Sequence, residues 1–140
     1  MKIFQQNDLN TLNQMHEENL PSFLGIEFVE IGDDFVTARM PVNARVHQPM
    51  GQLHGGASVV LAETVGSVAS FLAVAENGEG AVGLEVNANH LRPISSGFVY
   101  ATARPLHLGR RTHVWEIRIV DEADQLICIS RLTTMIISRS

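Results

Sequence analysis

The sequence predicts an α+β fold in which one curved antiparallel sheet wraps around one long helix. Two observations lead there. The stretch from Gly55 to about Ala75 is apolar nearly all round, so a helix at that position must be covered on most sides. Most of the remaining chain, both before and after it, reads as strands separated by turn residues. A sheet with a bare face and a helix with no solvent face bury each other in the simplest packing.

The elements follow in order. Asp8 to Asn19 reads as a short helix, with Asp8 as its cap, Leu9, Leu12 and Met15 on one face, and Pro21 closing it. Ile26 to Ile31 and Phe35 to Met40 read as two strands around the turn Gly32-Asp33-Asp34. Residues 41–53 form a loop punctuated by Pro41, Asn43, Pro49 and Gly51. The long helix follows and is stopped by Asn77-Gly78-Glu79-Gly80. Ala81 to His90, Phe98 to Leu108, Thr112 to Val120 and Gln125 to Ile137 are the remaining strands. The third alternates clearly, with Trp115, Ile117 and Ile119 on one side and Glu116 and Arg118 on the other. A sheet of this size has edges to hide, so pairing with a second copy is expected.

A length of 140 residues fits a single domain, 1–140, around one core. A formal net charge of −5 argues against nucleic acid as a partner. The single cysteine, Cys128, excludes an internal disulfide and a Cys-based zinc site, and its place in an alternating run marks it as a core residue. No N-terminal apolar run with a basic flank reads as a secretory signal. No stretch reads as a bilayer span either, because Glu63, Ser67 and Ser70 interrupt the apolar helix. The expectation is a soluble cytoplasmic protein.

Chemistry concentrates between Gln48 and Ser67. Glu63 is a lone carboxylate on the apolar helix, where loss of water is costly unless the group is paired, hydrogen-bonded or used. Gly55 and Gly56 bring bare backbone N–H groups to the helix start, a ready partner for developing negative charge. Each feature also has a purely structural explanation. Glu63 can be held by its helix or a cation, the glycines can simply begin a helix, and Ser67, one turn beyond Glu63, can bond back to its own backbone. Gly66 and Ser70 keep the stripe small, which reads as room for a ligand, and Val68 stands a little off the Glu63 face. His47 reads as a surface residue, and His54 lacks partners at metal-ligand spacing, so no metal is expected.

Several of these segments together resemble a known family. They are Gly32-Asp33-Asp34, Met40-Pro41-Val42, Gln48-Pro49, Leu53-His54-Gly55-Gly56-Ala57-Ser58, Leu61-Ala62-Glu63, Gly66-Ser67 and Val82 through His90. Pro105-Leu106-His107-Leu108-Gly109-Arg110, Val114-Trp115 and Ser130-Arg131-Leu132-Thr133-Thr134 complete the set. The pattern is similar to the bacterial hotdog-fold acyl-CoA thioesterases and spans nearly the whole chain. The specific element is His-Gly-Gly with Glu63 eight residues beyond Gly55.

The resemblance implies a hotdog fold and hydrolysis of an acyl-CoA thioester to the free acid and coenzyme A, without a cofactor. It favours an aromatic acyl group, with 1,4-dihydroxy-2-naphthoyl-CoA as the leading substrate. Broad-specificity or proofreading hydrolysis of acyl-CoA and acyl-carrier thioesters is the alternative. It implies Glu63 as nucleophile or general base, Gly55 N–H as oxyanion donor, Gln48 and His54 at the thioester carbonyl, and Ser67 orienting Glu63 or water. Gly83 would lie near the pantetheine arm, and His90, Arg92, His107, Gly109, Arg110 and Arg111 would meet coenzyme A. It also implies a homo-oligomer, a dimer or a dimer of dimers, with active sites shared between subunits. A hotdog hydratase or dehydratase and a non-catalytic acyl-CoA-binding module on the same fold are the rival readings.

Overall fold

The computed structural model describes residues 3, 4 and 8–139. Its strands are β1 (Glu27–Ile31), β2 (Val36–Pro41), β3 (Glu79–His90), β4 (Phe98–Leu108), β5 (Thr112–Val120) and β6 (Leu126–Ser138). Its α-helices are α1 (Leu9–Met15), α2 (Leu20–Phe23) and α3 (Gly55–Val74), with single 3-10 turns at Ala44–Val46 and Ala75–Asn77. The strands form one six-stranded sheet in the order β1-β2-β4-β5-β6-β3, and every neighbouring pair is antiparallel. The fold is the predicted α+β arrangement, a hotdog with α3 as its filling.

The helix buries Leu61, Ala62, Val65 and Ala69 against Trp115, Ile117, Ile119 and Leu132 of the central strands. The sheet is shaped for close approach there, because Ala38, Ala101 and Ala103 put small side chains on the covered face. Gly66 belongs to this contact: a Cβ on it would stand 2.6 Å from Leu132 Cδ2. Ser70 is also fully buried, and its hydroxyl lies 2.6 Å from His113 Nδ1 and 2.7 Å from Thr134 Oγ1. These two positions therefore face the sheet and leave no room for a ligand, contrary to the reading of a small-residue stripe beside Glu63. The helix turns between Glu63 and Gly66 are enough to carry the latter onto the sheet-facing side.

Three further expectations change. Pro21 does not close the first helix; α1 ends at Met15, and Pro21 sits in the first turn of α2, where its missing N–H costs nothing. Gly78 ends the α3 region in the left-handed conformation, but Glu79 and Gly80 already belong to β3. By length and composition alone, Gly55–Asn77 is long and apolar enough to cross a membrane. Three polar groups do not lower its average far enough; half of it is buried in this domain, with Leu61, Ala62, Val65 and Ala69 in the core.

The two sheet edges differ. At β1, the Asn13 carboxamide of α1 donates to the Phe28 carbonyl (3.1 Å) and accepts from the Phe28 N–H (2.8 Å), occupying the backbone as a neighbouring strand would. The outer side of β3 is 12 residues long and carries exposed Val82 and Leu84. Cys128 is buried in the core, and burial pushes its thiol pKa up.

Candidate active site

The start of α3 is built by a loop that folds back on itself. Gln48 N–H donates to Gln52 O (2.7 Å), Gly51 N–H donates to Gln48 O (2.9 Å), and Gly51 adopts φ +77° to close the turn. His54 N–H donates to Val46 O (2.8 Å), which delivers the chain to the helix. His54 is the N-cap: its Nδ1 accepts the Gly56 N–H at 2.8 Å. That bond leaves Nδ1 without a proton in the neutral ring, so Nε2 carries the N–H and is a donor. Gln48 Oε1 accepts the Met50 N–H at 2.5 Å, which leaves the Nε2 amide as the group free to donate. His47, read as a surface residue, is half-buried, and its Nε2 bonds Ser95 O (2.9 Å), tying this loop to the 91–97 segment.

Gln48, Gly55, His90 and Arg92 line one cavity of about 320 Å³, together with the buried Ser58. The His90 ring lies against the Gly55 backbone; a Cβ on Gly55 would stand 2.7 Å from His90 Nε2. The absent side chain is what lets the imidazole reach the first turn. Ser58 was not legible as a site residue, since one serine in an apolar helix carries no signal of its own.

Glu63 stands elsewhere. It lines a second cavity of about 320 Å³ with Ser67, Thr64, Val60 and Val68 on α3 and His16 from the end of α1. Its carboxylate passes directly over Gly83 of β3, where a Cβ would fall on Oε2. A bulge between Gly83 and Glu85 re-aims the strand beside it. Among the described residues Glu63 has no hydrogen-bond or ion-pair partner. It is half-buried rather than enclosed, because α1 and α2 cover only part of the outer face of α3.

Gly55 and Glu63 are eight residues apart on α3, about 12 Å along its axis at ~1.5 Å per residue. One chain therefore presents a donor half-site and a carboxylate half-site that do not meet.

The predicted coenzyme A residues also divide. His90 and Arg92 belong to the Gly55 cavity. Gly109, Arg110 and Arg111 form the β4–β5 turn, with His107 just before it in β4; Gly109 N–H to Thr112 O (2.9 Å) closes the turn, and both arginines are exposed. His90 faces Cys128 of β6, whereas Thr112 faces Met135; the seven steps between them along β6 span about 23 Å. The two cationic groups thus sit at opposite ends of the sheet within one chain. Among the described residues, no three His, Cys, Asp or Glu side chains are placed to hold a metal ion.

His113 was not singled out by the sequence. It is buried against Ser70 and Trp115, and its pKa is lowered by burial and then by repulsion from His107, with Glu79 opposing. The network has no opening to either cavity and acts as a polar anchor between α3 and the sheet.

The model of the thioesterase superfamily matches residues 50–128. The chain is 54% identical over 129 residues to a 1,4-dihydroxy-2-naphthoyl-CoA hydrolase of Escherichia coli, covering 92% of this chain and 94% of that protein. It is 48% identical over 128 residues to the proofreading thioesterase EntH of Cronobacter turicensis, covering 91% and 93%. The crystal structure of a thioesterase from Haemophilus influenzae superposes with a TM-score of 0.95 at 48% identity, covering 99% of this chain and 96% of that one.

Proposed function

Because the chain belongs to the thioesterase superfamily and is a thioester hydrolase, we propose that its substrate is an aromatic acyl-CoA, with 1,4-dihydroxy-2-naphthoyl-CoA the leading candidate. The observation that carries this reading is the pair of half-sites on α3. One holds backbone donors at a helix start, and the other holds a carboxylate that has no partner among the described residues, beside walls that include Val60 and Val68. Hydrolysis needs both kinds on one carbonyl.

The Gly55 N–H and the Gln48 amide donate to the carbonyl oxygen as it becomes an oxyanion, and His54, its Nε2–H free, donates beside them. Glu63 either attacks the carbonyl carbon or takes the proton from the attacking water, with Ser67 orienting that carboxylate or that water. The thiolate of coenzyme A then leaves and is protonated; on the direct-attack route water hydrolyses the mixed anhydride left on Glu63 to the free acid. Gly83 passes the pantetheine arm, and His90, Arg92, His107, Gly109, Arg110 and Arg111 meet the coenzyme A portion, the cationic side chains serving its phosphates. A gap of about 12 Å between Gly55 and Glu63 exceeds what one carbonyl and one Glu side chain span. The reaction centre is therefore completed by a second copy, paired through the open β3 edge, which brings the donor half-site of one chain to the Glu63 of the other. A dimer is the smallest assembly that does this, and the enzyme works in the cytoplasm, where coenzyme A thioesters are formed. The EntH relative favours a second reading, proofreading hydrolysis of acyl-CoA or acyl-carrier thioesters by the same site.

Free-thiol release from naphthoyl, benzoyl, phenylacetyl and aliphatic thioesters of coenzyme A and of a carrier protein tests both. The expected result is fastest release from aryl-CoA, falling about 10²–10⁴-fold in Glu63→Gln with the fold retained. Faster release from carrier thioesters favours proofreading. Near-normal turnover in Glu63→Gln, or full activity in a monomer by light scattering, overturns the mechanism.

A further inference from the structure

We propose that His16 selects the acyl group: its Nε2 accepts a hydrogen bond from a hydroxyl on the aromatic ring. This rests on the reading above, in which the acyl group lies beside Glu63. His16 caps the C-terminus of α1, and its imidazole lines the same cavity of about 320 Å³ as Glu63 and Ser67. Its Nδ1 is 2.8 Å from the Leu12 carbonyl oxygen. A carbonyl only accepts, so Nδ1 carries the proton, and Nε2 of the neutral ring is left as a lone pair. None of the described residues hydrogen-bonds Nε2.

The ring is held in place. It tilts against Phe28 with centroids 5.2 Å apart, and α1 itself is clamped to β1 through the two Asn13–Phe28 hydrogen bonds. An acceptor fixed before the ligand arrives loses little freedom on binding. Val60, Val68, Leu20 and Pro21 make much of the remaining wall apolar, as an aromatic ring requires. Leu12, Met15, Phe71 and Leu72 line a separate cavity of about 450 Å³ beside this groove. A hydroxyl on a ring lying in this groove is costly to bury unpaired, and His16 is the acceptor supplied from the α1 side.

The test compares kcat/KM for benzoyl-CoA with that for its 2-, 3- and 4-hydroxy derivatives, by thiol release, in the wild type, His16→Leu and His16→Gln. The wild type should favour at least one hydroxy isomer over benzoyl-CoA. In His16→Leu that ratio should fall about fivefold to tenfold, mainly through KM. His16→Gln keeps an acceptor and should recover part of the ratio. An unchanged ratio in His16→Leu, with both substrates still hydrolysed, overturns the His16 assignment and leaves the aryl-CoA reading standing. Equal losses on all substrates without recovery in His16→Gln also overturn it, since they mark a structural role for α1. No release from any aryl-CoA by the wild type overturns both.

Discussion

Replacing Gly83 by alanine separates the placement of Glu63 from the stability of the fold. The new methyl would fall on Glu63 Oε2. To restore an ordinary carbon–oxygen contact the carboxylate must retreat by about 1 Å. The movement itself is cheap, because the carboxylate is the far end of a flexible side chain without a partner among the described residues. Gly83 is exposed on the edge strand and outside the core, so the substitution should change stability by no more than about 0.5 kcal/mol. A displacement of that size at a reacting group costs about 10²-fold in rate. The expected result is a kcat for aryl-CoA hydrolysis lowered about a hundredfold, with KM and the melting temperature close to wild type. A kcat within about twofold of wild type would refute the reasoning, because the carboxylate would then not be working from this position. A raised KM with kcat unchanged would leave Gly83 only its contact with the pantetheine arm and would likewise refute its part in placing Glu63.

Two further outcomes follow from the core. Gly66→Ala gains up to about 1 kcal/mol of helix propensity but forces a methyl against fully buried Leu132 and Ile117, an overpacking cost of about 1–3 kcal/mol. The cost wins, and the melting temperature should fall by a few degrees; a rise in calorimetry would show that Leu132 moves aside. His113, held neutral by burial, binds a proton more readily when the chain is unfolded. Its contribution to stability is therefore present above the ordinary imidazole range, about pH 6.5, and is lost as pH falls below it. Melting curves between about pH 7.5 and about pH 5 should drop less steeply in His113→Gln than in the wild type, and parallel curves would exclude His113 as the source.

Most of the fold was legible because its signals are local. The alternation of Trp115, Ile117 and Ile119 marked β5, and the all-round apolar run marked α3, as their burial bears out. Neighbouring strands and the helix then had few ways to pack. The errors lie where a choice depended on partners distant in sequence. Gly66 and Ser70 were judged from the helix wheel alone, but what they face is Leu132, His113 and Thr134. The same limit hid His16, a lone histidine at the end of a short helix, whose meaning comes from Glu63 sharing its cavity. His90 and Arg110 both looked like phosphate ligands, and only the register of β6 reveals that one chain holds them at opposite ends.

The Asn13 carboxamide on Phe28 has a consequence for how large any assembly can grow. A sheet with two free edges is a monomer in the polymer chemist's sense: each addition exposes another identical end, and fibres follow. Capping one edge turns the chain into a chain-stopper. In the proposed pairing of two β3 edges about a two-fold axis, the open end of both molecules would be consumed, and each β1 strand left outward carries the Asn13 amide on Phe28. Further sheet extension from that pair would meet, at each outer edge, a backbone already engaged at Phe28 by one amide side chain.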